Sequence, residues 1–160
     1  MAIAVRDVIL DLVLTPVFWE EKPEILISFN GKELLTGALE KETTFNWKLP
    51  AEDSNRISVF FLNKKKNDTA GDRDKAVIIK SIGLEGLNYG SFLQKSQYRP
   101  EYSAGYLAMA REKNLPTDEI INSNYLGFNG EWWLEFTWPT FLWIFQTETQ
   151  NQGWIYEKNI

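Results

Sequence analysis

The chain has 160 residues, enough for one domain to bury a core without staples, and it contains neither Cys nor His. Their absence excludes disulfides, histidine-based triads, cysteine nucleophiles and zinc sites built on Cys or His. A net charge of −5 argues against a nucleic-acid partner, which would need a basic face. Arg6 and Asp7 interrupt the apolar start, so no signal peptide is read there. No apolar run approaches the roughly 20 residues of a membrane span. The expectation is a protein made in the cytoplasm, with no membrane partner.

In chain order, the first predicted element is a long strand over residues 5–17, with Val8, Leu10, Leu12 and Leu14 on one face and Pro16 at its end. Phe18 and Trp19 follow in a charged loop. Residues 24–29 alternate again, Asn30-Gly31 is a strong hairpin turn, and residues 32–35 form the return strand. Residues 43–49 carry Phe45 and Trp47 on one side. Residues 57–62 and 76–84 are rich in Ile, Val and Phe and predict two further strands. Val59, Phe61 and Ile79 are expected in the core. In the second of these strands, Val77, Ile79 and Ser81 are placed opposite Ile78, Lys80 and Ile82.

Beyond Gly86, residues 87–92 read as a short strand and residues 101–113 as the one helix, opened by Pro100 and favoured by its alanines. Tyr98, Tyr102 and Tyr106 recur every four residues, which predicts a tyrosine stripe packed on the core. Residues 131–138 alternate, with Trp132, Leu134, Phe136 and Trp138 on one face. Pro139 breaks the ladder, and residues 141–145 alternate again as a strand. Residues 154–156 read as a final edge strand. Short, frequent strands separated by turns predict an all-β fold: a single jelly-roll-like antiparallel β-sandwich over residues 1–160, with one short helix in the C-terminal half.

Between the strands at 57–62 and 76–84 lies a loop with Asn63, Asn67, Asp68, Asp72 and Asp74, and Gly71 to let it turn. Carboxylates and amides at the edge of a rigid sheet suit a hard cation. The same residues also suit any strand-to-strand loop, and Lys64, Lys65 and Lys66 oppose a cation. The order of a strand ending in Phe-x-Asn, a loop carrying Asp-Arg-Asp and a strand ending in Ile-x-x-x-Gly resembles the calcium-dependent xylan-binding type of carbohydrate-binding module. That family is a jelly-roll β-sandwich also seen in tailed-bacteriophage virion proteins. The resemblance covers residues 5–90. It implies Ca2+ held by Asn67, Asp68, Asp72 and Asp74.

Little catalytic chemistry is left. Glu131 and Glu135 lie four apart on one strand, roughly 13 Å at strand rise, too far for a glycosidase pair. Gly83, Gly86 and Gly90 lack the spacing of a phosphate loop. The chain is therefore read as no enzyme. The main reading is a small structural component of a tailed-phage virion (capsid decoration, neck or tail), located in the virion and partnered by other virion proteins or copies of itself. The alternative is a calcium-dependent module recognising a polysaccharide. Trp19, Trp47, Trp133 and Tyr156 are the aromatics expected at the surface, as interface anchors or sugar-stacking platforms. Apolar residues on both faces of 132–145 place the interface there.

Overall fold

The computed structural model describes residues 6–66 and 68–152. Along them run nine strands and three helices. They are β1 (Asp7–Val17), β2 (Glu24–Phe29), β3 (Lys32–Ala38), β4 (Thr43–Pro50), β5 (Ser54–Phe61), β6 (Ala76–Leu84), α1 (Gly90–Lys95), β7 (Gln97–Pro100), α2 (Ala104–Lys113), β8 (Tyr125–Leu126), β9 (Gly130–Thr137) and α3 (Thr140–Gln152). The strands form two sheets, ordered β4-β1-β6-β8 and β3-β2-β5-β9-β7. All pairings are antiparallel, and the sheets face each other as a sandwich. The strand at 154–156 expected from sequence lies outside the described residues.

Alternation builds the core. Val8, Leu10, Leu12 and Leu14 of β1 are buried, and they meet Ile27, Ile57, Val59, Phe61, Trp132, Leu134 and Phe136 from the other sheet. Asn30 and Gly31 both take positive φ, 51° and 80°, as the tight turn between β2 and β3 requires. Gly130 has a different reason. Its backbone passes so close to β7 that a Cβ would lie 2.2 Å from the Arg99 carbonyl oxygen. Only glycine lets β9 pair this closely beside β7 there.

The structure corrects the sequence reading at four places. In β6 a register shift opposite Val13 and Leu14 leaves Lys80 as an extra residue. This bulge lets Val77, Ile79, Ile82 and Leu84 all face inward, so Ile82 joins Ile79 instead of opposing it. Residues 87–92 are not a strand. They run into α1, which buries Phe92. Pro100 belongs to β7, so α2 starts only at Ala104, where the Ser103 hydroxyl accepts the Tyr106 N–H at 3.1 Å. Residues 141–145 lie in α3, which turns Trp143 and Ile144 toward the core and leaves Phe141 and Leu142 exposed. No described helix is long and apolar enough to cross a membrane.

Phe61 is fully buried between the sheets. Phe61→Ala is expected to cost about 3–5 kcal/mol in urea unfolding. A change of a few tenths would show that this strand face does not form the core.

Candidate functional site

Residues 62–66 and 68–75 belong to the connection from β5 in one sheet to β6 in the other. Charge pairing fixes their course. Lys75 Nζ is 2.7 Å from Glu21 Oε1, 2.7 Å from the Asn63 carbonyl oxygen and 3.4 Å from Asp68 Oδ2. Lys64 Nζ donates to Asp74 Oδ1 at 2.5 Å and to the Lys75 carbonyl at 2.7 Å. Lys65 reaches the other oxygen of Glu21 at 2.9 Å. Asn63 is tied at both ends of its amide: its oxygen accepts the Glu24 N–H and its nitrogen donates to the Lys22 carbonyl.

Beside this loop lies a cleft of about 630 Å3 with a tyrosine wall. Tyr102 and Tyr106 stack with ring centres 5.0 Å apart, and Phe128 meets both edge-on at 5.2 and 5.1 Å. Their hydroxyls donate to the carbonyls of Asp118, at 2.9 Å, and Pro116, at 3.2 Å, which fixes both rings. The buried Tyr98 hydroxyl donates to the Phe128 carbonyl and accepts its N–H. Tyr125, on β8, is 41% exposed, and its hydroxyl donates to Asp74 Oδ2. Thr69 donates to the other oxygen of Asp74 at 2.5 Å. The cleft thus combines flat apolar rings with a carboxylate, an ammonium and a hydroxyl at one edge.

Electrostatics sharpens this edge. Burial works against ionisation of Asp74, but Lys64, Thr69, Tyr125 and the Lys75 N–H together hold its carboxyl below the usual 3.8. Burial, then the hydrogen bond to Asp74 and its charge, push the Tyr125 phenol well above its usual value, so it stays protonated as a donor. Hydrogen bonds from Lys75 and then Lys65 draw Glu21 down from 4.5 to about 2.

The aromatics singled out from sequence fall differently. Trp19 is 37% exposed, but it lies on the loop: its indole N–H donates to the Asp68 carbonyl at 2.9 Å and Arg73 sits 5.1 Å from its ring. Trp47 points inward from β4, stacked on Phe45 at 5.4 Å and packed on the core. Trp133 is only 4% exposed, because Arg56 covers its ring at 4.2 Å and Arg99 lies at 5.5 Å. Its expected surface role is therefore corrected. Tyr156 lies outside the described residues. The residues missed were Tyr102, Tyr106, Tyr125 and Phe128. The four-residue spacing of Tyr98, Tyr102 and Tyr106 was a true signal with the wrong cause: one is in a strand, one in a loop and one in a helix, yet all line the same cleft. Glu131 and Glu135 are both paired with Arg56, at 3.0 and 3.3 Å.

No protein-family profile matches the chain, and no curated protein matches it by sequence. Solved structures do. A structure described as vCBM60 in complex with galactobiose aligns over 81% of this chain and 97% of its own, with a TM-score of 0.49 and 14% identity. A selenomethionine form of vCBM60, described with two families of calcium-dependent carbohydrate-binding modules, aligns over 79% of this chain and 89% of its own, with a TM-score of 0.50 and 14% identity. The chain has the jelly-roll fold of a carbohydrate-binding module.

The loop residues do not fit the calcium expected from sequence. Among the described residues no three acidic side chains come together. Asp68 accepts the Lys65 N–H and faces Lys75, Asp74 is held by Lys64, and Asp72 is exposed. Asn67 lies outside the described residues.

Glu21 and Asp74 bind protons more weakly when folded than when unfolded. Their stabilising contribution is full above their ordinary pKa values and is lost as pH falls through the folded ones. The melting temperature is therefore expected to drop from pH 4.5 toward about 2, the Glu21 window. Glu21→Gln should flatten that drop. Parallel curves for the two proteins would show that the Glu21 pairing does not stabilise the loop.

Proposed function

We propose that the protein is a non-catalytic carbohydrate-binding module that takes a polysaccharide segment in the tyrosine cleft. The observation that carries this reading is Tyr125: an exposed ring, fixed by its hydroxyl on Asp74, at the rim of a cleft whose wall is the Tyr102–Tyr106 stack. A pyranose offers an apolar C–H face and a rim of hydroxyls. Flat rings meet the first, and Asp74, Lys64 and Thr69 meet the second. The volume falls in the range of small-ligand clefts, about 300–1,000 Å3. The fold shared with the vCBM60 structure described with calcium-dependent carbohydrate-binding modules supports the same reading.

Retention on insoluble polysaccharides, followed by titration of soluble oligosaccharides, tests it. Tyr125→Ala is expected to weaken binding tenfold or more with little loss of melting temperature, as removal of a central aromatic anchor does. Tyr125→Phe, which keeps the ring but loses its anchor on Asp74, should weaken binding less than Tyr125→Ala does. Unchanged binding in Tyr125→Ala would place any sugar elsewhere.

A second reading, a structural role in a larger assembly such as a phage virion, is supported by Phe141 and Leu142, both exposed on the first turn of α3. A stable monomer by light scattering, unchanged by Leu142→Glu, would count against it.

A further inference from the structure

Lys75 stands immediately before β6 with its side chain only 2% exposed. A lysine this buried is uncommon unless its charge is matched. Here the match comes from two connections: Glu21 at 2.7 Å in the one from β1 to β2, and the Asn63 carbonyl at 2.7 Å and Asp68 at 3.4 Å in the one from β5 to β6. An ammonium carries three N–H donors, and three oxygens surround it. Two carboxylates and a backbone carbonyl are also the donor chemistry that a hard divalent cation takes. Nearby, Lys64 answers Asp74 in the same manner and donates to the carbonyl of Lys75 itself. A divalent ion entering this cage would face the Lys75 charge at contact distance, with Lys64 and Lys65 close behind, in surroundings that screen poorly.

We infer that the Lys75 ammonium is a tethered cation that does for this loop what a bound metal ion would otherwise do. The loop is held shut without calcium, and sugar binding in the adjoining cleft is independent of calcium. The first of these statements stands on the cage alone. The second rests on the carbohydrate reading.

Melting temperature of the full chain tests the first. Wild type should melt at the same temperature in millimolar calcium chloride and in chelator. A rise with calcium overturns the inference by itself, whether or not any variant folds. Lys75→Met, which keeps the stem and removes the charge, should lower the melting temperature by roughly 5–10 °C, because two carboxylates lose their buried partner. Lys75→Ala should also melt lower and regain part of the loss in calcium, because the vacated cage offers two carboxylates and a carbonyl. A Lys75→Met protein as stable as wild type, or a Lys75→Ala protein indifferent to calcium, would show that the lysine stem packs and its charge does not matter. For the second statement, retention on polysaccharide should be equal in calcium and in chelator. Retention only in calcium overturns the inference. Retention in neither removes the carbohydrate reading and leaves the cage untouched.

Discussion

One buried ammonium ties together the end of the sandwich on which the candidate site is built. Glu21 lies in the connection from β1 to β2, and Asn63 and Asp68 lie in the connection from β5 to β6. Both connections cross from one sheet to the other. Two crossings that share a single cation cannot drift apart without leaving a charge unpaired, which is costly when the group is out of water. Lys75 is thus placed where sheet packing and loop conformation become the same problem. Its neighbour Asp74 extends the network in the other direction, through Tyr125, to β8 and the edge of the first sheet.

Tyrosines form the cleft wall, and their hydroxyls fix them. A ring that must be both exposed and fixed needs a polar tip that can be anchored. Tyr102, Tyr106 and Tyr125 each anchor a hydroxyl to a carbonyl or a carboxylate of the protein. The tryptophans of the described residues do other work. Trp132 fills the centre, Trp143 packs on Phe92 and Phe136, and Trp133 serves as a platform for two arginines. The outward Trp133 of β9 is thus covered from within the chain, while Phe141 and Phe145 of α3 stay exposed.

The sandwich was legible because alternation is local: β1, β2, β5 and β9 show their inward faces residue by residue. The bulge in β6 was not, because an extra residue leaves no mark on hydrophobicity. It is set by the partner strand. The helix α3 was hidden by its own chemistry. Its core-facing positions are Thr140, Trp143, Ile144 and Thr147, a helical spacing in which two of the four are threonine. The apolar residues between them happen to alternate, so a period of two covered a period of 3.6. The cleft was out of reach for a related reason. Tyr125 and the Tyr102–Tyr106 pair come from separate elements, and only the route of residues 114–124 brings them to one wall.

The loop shows a different limit. Of the loop oxygens singled out from the sequence, Asp68 and Asp74 meet lysine ammoniums. What composition could not supply was the assignment of each cation to its oxygens. The lysine that closes the cage is not in the run of Lys64, Lys65 and Lys66 at all. It is Lys75, whose main partner Glu21 is 54 residues away. Oxygen donors in a loop do not distinguish a metal from an ammonium, because both want carboxylates and carbonyls at short range. The difference lies in whether the protein itself brings a cation to the same place. In this fold it does, because the residue just before β6 is turned inward toward the charge on the opposite crossing. A metal and a lysine are then two solutions to one requirement, that oxygens from two crossings be met by a single positive charge.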